Sequence, residues 1–195
     1  MFDRCYVEDV GSVADSLTTR PVVIGHSLGG FVVQRYLESH DAHAGVLLAS
    51  MSYRGSSGFF LRLMKAHPWL TMRTIITGKS LPHFNRPKLV RESFFCAQTP
   101  ESIVVRCAAR LEDESAKVPL DTMLHLPRPE RVTAPLVVVG GECEGIVTAD
   151  EVHATARAYR TEAEFFPDMG HDTMLEPGWE PVAERIHTWL GTRDL

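Results

Sequence analysis

The chain lacks any apolar stretch near the ~20 residues needed to cross a bilayer, so stable membrane insertion is not expected. Its four cysteines, Cys5, Cys96, Cys107 and Cys143, form no Cys-x-x-Cys pair and no regular spacing. Met1-Phe2-Asp3-Arg4 is not followed by the apolar segment of a secretory leader, and a reducing cytoplasm is the expected compartment. Neither arginine nor lysine gathers into a run, and the net charge is −5 with a pI near 6.0. Nothing therefore points to nucleic acid or to an anionic membrane surface, which leaves a small molecule as the expected partner. Repeats and low-complexity tracts are missing as well. His40-Asp41-Ala42-His43 has no third ligand nearby, so no metal is expected. What is present is 44% apolar residues over 195 positions, enough for one substantial core with an insertion.

The most informative segment is Gly25-His26-Ser27-Leu28-Gly29. Pro21-Val22-Val23-Ile24 before it reads as a buried parallel strand opened by proline. Phe31 to Glu38 after it has apolar residues at 32, 33, 36 and 37, a helical spacing. A strand that turns into a helix within so few residues holds Ser27 at strained dihedrals and presents its hydroxyl as a nucleophile. Gly25 and Gly29 are expected because neither flank can carry a bulky side chain, and Gly30 for close helix-to-strand packing. The first helical amides face developing negative charge, which makes the Leu28 N–H the natural oxyanion donor.

Around this turn the pattern alternates. Tyr6, Val7, Val10, Val13, Ala14 and Leu17 predict a helix over 6–17, and strands are expected at 44–51, 136–140 and 163–167. Helices at about 150–160 and 178–190 complete an α/β unit with a mostly parallel sheet covered on both faces. Residues 53–132 break the alternation and are too long for a bare loop, so they are expected to form a helical cap between core segments 1–52 and 133–195. Phe59 to Met64 and Trp69 to Ile76 carry more apolar area than a free-standing helix would keep wet, and part of it is expected to line a substrate pocket. Glu101 and Glu112-Asp113-Glu114, with Arg106 and Arg110, read as the solvated face of a cap helix.

A serine hydroxyl needs a base to take its proton and a carboxylate to orient that base. His171, in Pro167-Asp168-Met169-Gly170-His171-Asp172, sits in the loop after the last strand and is the candidate base. His26 lies within the turn itself; His40 and His43 lie at a helix end; His67, His83 and His125 fall in the insertion; His153 and His187 fall on peripheral helices. The acid is expected from Gly140-Gly141-Glu142-Cys143-Glu144-Gly145, with Glu144 favoured and Glu142, Asp150 and Asp121 as alternatives. Asp150 is expected to cap the following helix. Asp168 and Asp172 sit too close in sequence to His171 to reach its far nitrogen, and Cys143 reads as a small core residue.

These residues, in the order serine, acid, histidine, resemble the α/β-hydrolase fold family over nearly the whole chain, and among its subgroups the capped serine esterases and lysophospholipase-like enzymes. The resemblance implies a cofactor-free serine hydrolase that cleaves an ester or related acyl bond of a small, hydrophobic substrate through an acyl-enzyme. Ser27 would be the nucleophile, His171 the base and Glu144 the acid, with Glu standing where the family more often has Asp. The family also places further strands and a second oxyanion donor ahead of the region where this sequence begins. That implies a free edge on the strand before Ser27, prone to self-association. It also keeps open a second expectation, a catalytically silent hydrolase-like module that binds a ligand or partner chain through that edge.

Overall fold

A parallel strand covered on both faces must be apolar at every position, and Ala44-Gly-Val-Leu-Leu48 and Leu136-Val-Val-Val139 are such runs. A computed structural model describes residues 2–78, 86–113 and 117–193 of the chain. Strands β1 (Val22–His26), β2 (Ala44–Leu48), β3 (Leu136–Gly141) and β4 (Ala163–Phe166) form one parallel sheet in the order β1-β2-β3-β4. Val46 pairs with Val137 and Leu48 with Val139, and these side chains point to one face, against Val182 and Trp189 of the last helix. Leu47 and Val138 point to the other, against Val33, Tyr36, Val152 and Ala156. The period of two thus splits one apolar run into two cores.

Helices α1 (Phe2–Asp15) and α2 (Leu28–Tyr36) flank β1. The strand expected over 44–51 stops at Leu48 because Ala49 adopts a positive φ of 44°. Among the described residues, five helices lie between β2 and β3: α3 (Ser57–Ala66), α4 (Pro68–Thr77), α5 (Pro87–Phe94), α6 (Glu101–Ala108) and α7 (Lys117–Leu124). Pro68 at the first turn of α4 cannot extend α3, so the two helices form a hairpin at His67. Glu112 and Asp113 lie beyond the end of α6 rather than on its face, and Glu101 pairs with Arg91 at 2.7 Å. His83 and Glu114 lie outside the described residues. Helices α8 (Ala149–Ala158) and α9 (Glu180–Gly191) complete the layers. The cap of α8 corrects the expectation for Asp150. Thr148 accepts from the Glu151 amide, and the Glu151 carboxylate accepts from the Thr148 amide, because the chain enters the helix one residue pair earlier. Among the described residues, no helix is long and apolar enough to cross a membrane.

Crowding at the strand-to-helix turn differs from the sequence expectation in one respect. A Cβ on Gly25 would strike the Gly29 carbonyl and lie 2.7 Å from Gly30 Cα, and one on Gly30 would strike the Ser50 side chain. A Cβ on Gly29 would meet nothing within 4 Å, because that face of the turn looks outward. Gly25→Ala is expected to cost roughly 1–3 kcal/mol, since backbone cannot give way as a side chain can, whereas Gly29→Ala keeps the parent's stability. Urea denaturation of the two variants checks this.

Candidate active site

The turn places Ser27 at φ 51°, ψ −118°, a strained pair for a non-glycine residue. The strain is held from two sides. Ser27 N–H donates to Leu48 O at 3.1 Å, and its carbonyl accepts from Gly30 N and Met51 N. Behind it, Gln34 on α2 is fully buried and ties three elements together. It donates to Ser50 Oγ and Met51 O at 2.9 Å each and accepts from the Tyr159 hydroxyl at 3.1 Å. Helical periodicity shows Gln34 only as a polar interruption, so its anchoring role was not legible. The Leu28 amide is the first of α2 and has no intrahelical partner.

Three separate segments then converge. His171 Nε2 lies 2.8 Å from Ser27 Oγ, and His171 Nδ1 lies 3.0 Å from Glu144 Oε2. A carboxylate only accepts, so Nδ1 carries the ring proton and Nε2 is left to accept from the serine hydroxyl. His171 is 1% exposed, and the Glu144 side chain is also buried. Glu144 Oε1 is buried without a hydrogen-bond partner, which leaves the imidazole as the main recipient of that carboxylate's charge. The alternative acids lie elsewhere. Glu142 and Asp150 are exposed, and Asp121 sits 3.6 Å from His125.

The loop carrying His171 is pinned by contacts from distant segments. Its carbonyl accepts from His26 Nε2 at 2.9 Å, and Asp172 N donates to Phe94 O at 3.0 Å. At Gly170 a side chain would meet Phe94 O and Phe95 Cα, at 2.5 and 2.7 Å, so only glycine lets the loop approach α5 this closely. Burial pushes the His26 pKa down and the neighbouring His171 adds to it, against the opposing His171 carbonyl, Asp172 and Glu144. His26 is therefore the neutral donor, and its 3.7 Å approach to Asp172 is not a full ion pair. The native state excludes a proton that the unfolded chain takes up near pH 6.5. Stability from this source is complete above that pH and is lost as pH falls below it. In urea titrations, His26→Gln is expected to show a shallower loss between pH 7.5 and 5.5 than the parent.

Cysteine chemistry corrects another expectation. Cys143 is not an unbonded core residue: it forms a disulfide with Cys96, 47 residues away, with Cα atoms 5.4 Å apart. The pairing removes the ground for expecting a reducing compartment, because such bonds persist in oxidising ones. It joins the segment after α5 to the loop that carries Glu144. Glu176 secures the same segment, its buried carboxylate accepting from Cys96 N at 2.9 Å and Thr99 Oγ1 at 2.6 Å. Reduction by a dithiol, or Cys96→Ser, is expected to cost about 2–4 kcal/mol in a urea melt, as the unfolded chain regains the freedom of that loop. Cys107 is a different case: burial, reinforced by Asp172, pushes its thiol up to about 11, so it stays protonated and inert.

Above Ser27 lies a cavity of about 330 Å³, lined by Leu28, Phe59, Phe60, Phe94, Ile146, Val147 and His171, with Arg62, Glu112 and Glu151 at its polar side. Arg62 of α3 grips both Glu151 oxygens at 2.9 and 2.8 Å and donates to Ile146 O at 2.7 Å, tying the helical insertion to α8. Burial alone would raise the Glu151 pKa, but Arg62 and Thr148 outweigh it and hold the carboxyl below its usual range. A larger groove, about 690 Å³, runs along the free edge of β1 between Val10, Val13, Leu17, Ile24 and Val32; it includes neither Ser27 nor His171.

The model of the alpha/beta hydrolase family matches residues 2–185, almost the whole chain. The chain belongs to the alpha/beta hydrolase family. It is accordingly a hydrolase, and solved structures share its fold. A monoacylglycerol lipase from Paleococcus ferrophilus aligns at TM-score 0.67 and 20% identity, covering 98% of this chain and 76% of its own. A Mycobacterium tuberculosis H37Rv protein assigned as the non-heme bromoperoxidase BpoC aligns at TM-score 0.73 and 19% identity, covering 96% and 73%. Naproxen esterase from Bacillus subtilis aligns at 0.66 and 16%, covering 96% and 66%. At these identities the likeness concerns the fold, and it does not choose a substrate for this alpha/beta hydrolase. No curated protein matches the chain in sequence.

Proposed function

We propose that this hydrolase cleaves carboxylic esters of small hydrophobic substrates through a covalent acyl-enzyme on Ser27. The observation that carries the reading is the Ser27–His171–Glu144 relay, 2.8 and 3.0 Å between its polar atoms, at the floor of an apolar cavity. Ser27 Oγ attacks the carbonyl carbon as its proton passes to His171 Nε2, and the Leu28 N–H stabilises the oxyanion. Collapse expels the alcohol, which takes the proton from Nε2. Water then repeats the sequence and releases the acid, restoring Ser27. Glu144 keeps Nδ1–H in place and faces the positive charge when the ring is protonated. The helical insertion acts as a cap, with Phe59 and Phe60 supplying an apolar wall for the acyl group or alcohol.

A fluorophosphonate probe tests this directly, because only an activated serine reacts with it. One phosphonyl group per chain is expected on the peptide containing Ser27, lost in Ser27→Ala. A folded parent that takes no label would sink the reading and favour the silent module, whose support is the apolar groove along the free edge of β1.

A further inference from the structure

Helix α4 of the α3–α4 hairpin carries its polarity reversed. The face of α4 turned toward the protein bears Thr71 and Thr74. The Thr71 hydroxyl is bonded to His67 O at 2.9 Å, while Thr74 Oγ1 is buried with no hydrogen-bond partner. The outward stripe, at helical spacing, is Trp69, Met72, Arg73 and Ile76, with Ile75 beside it. Trp69 is 86% exposed and Ile76 76%. Scattered exposed apolar residues are ordinary, but a helix that buries threonine and shows water its tryptophan and isoleucines is built for a second apolar phase.

Charge is segregated in the same region. Between Ala42 and Arg91 the sequence holds eight Lys or Arg and no Asp or Glu, in a chain whose net charge is −5. Arg62 and Arg91 are taken by Glu151 and Glu101, and Lys88 lies 3.9 Å from Glu92. Lys65 and Arg73 stay exposed on the hairpin. No lysine or arginine run announces this, because the positive residues are spread along the sequence and the bias lies in the missing acids.

We propose that the outward face of the α3–α4 hairpin docks on an anionic lipid–water interface. Trp69, Met72, Ile75 and Ile76 enter the boundary between headgroups and acyl chains, and Lys65 and Arg73 meet the anionic headgroups. A second copy fits worse, since a twofold interface sets the same patch against itself and the hairpin offers no acid to answer its own cations. Docking is peripheral and inserts no spanning segment. It also sets the wall of the Ser27 cavity beside the phase in which hydrophobic esters collect, because α3 contributes Phe59, Phe60 and Arg62 to that cavity. The docking itself does not depend on hydrolysis, and Ser27→Ala is expected to dock as the parent does, so the failure of one reading is separable from failure of the other.

The test is co-sedimentation of the whole chain with vesicles of equimolar phosphatidylglycerol and phosphatidylcholine, against phosphatidylcholine alone, at low and high salt. The parent is expected to partition about tenfold or more in favour of the anionic vesicles at low salt. The paired change Trp69→Ser with Ile76→Ser is expected to lower that partition about tenfold with an unchanged thermal melt, both side chains being exposed. Lys65→Glu with Arg73→Glu is expected to abolish the preference for anionic vesicles. No pelleting of the parent with anionic vesicles, or pelleting untouched by either pair, overturns the proposal. So does a parent dimer that the Trp69→Ser, Ile76→Ser pair converts to monomer, which would make the face a self-interface.

Discussion

Replacing Ser27 by alanine is expected to lower kcat for a p-nitrophenyl ester by about 10⁶-fold while KM changes little. The size follows from geometry. On the proposed mechanism, with Oγ removed, His171 Nε2 has no hydroxyl at 2.8 Å to deprotonate and no acyl-enzyme can form. The cavity walls, Phe59, Phe60 and Phe94, remain, so ground-state binding persists. Residual turnover then comes from the Leu28 amide and from holding the ester near water, the part of catalysis that survives loss of a nucleophile in other triads. Steady-state kinetics with a fluorescent binding assay separates kcat from affinity. A variant that keeps the parent's rate would place the nucleophile elsewhere.

The second large effect is at the acid. Glu144→Gln is expected to reduce kcat by about 10⁴-fold with folding and binding nearly intact. Glu144 is buried, and its Oε2, 3.0 Å from His171 Nδ1, fixes which nitrogen carries the proton. A glutamine of the same shape can present its amide N–H to that nitrogen. The proton then moves to Nε2, where it blocks acceptance from Ser27. Glu144→Asp keeps the charge but shortens the arm, so partial activity is expected, ranking above Gln. Alanine at the exposed Glu142 is expected to leave kcat within about twofold, since surface changes away from the site matter little. If Glu142→Ala matched the loss at Glu144→Gln, the acid would be misassigned.

Legibility in the sequence tracked the range of the interactions involved. The turn at Ser27 spans five residues, and a strand passing straight into a helix leaves Gly25 in place of any side chain because Gly29 and Gly30 fold back on it. Local chemistry of this kind is written in adjacent positions. His171 could be chosen because it follows the last strand, and a loop there returns to the same sheet edge. Local sequence separates Glu144 from Glu142 poorly, since both sit in one loop and only the path of the chain turns one inward. The Cys96–Cys143 bond, the Glu176 clamp and the Gln34 network were not legible, because each pairs residues with no shared pattern.

The amphipathic spacing of residues 69–76 shows the same limit from the other side. Period alone reveals an apolar stripe, and the economy of burial predicts that it turns inward. The structure turns it out. Thr71 and Thr74 face the protein because the hairpin with α3 leaves them the inner position, and which side of a helix finds a partner depends on the neighbours the insertion supplies.

The amino-acid order by itself determined the strand–helix alternation, the parallel sheet buried on both faces and the strained serine, because those depend on periodicity and on backbone sterics within a few residues. Only the tertiary structure decided which acid meets His171, which cysteines join and which helix face stays wet. Those outcomes rest on distances between segments tens to more than a hundred residues apart, and no local propensity encodes such a distance.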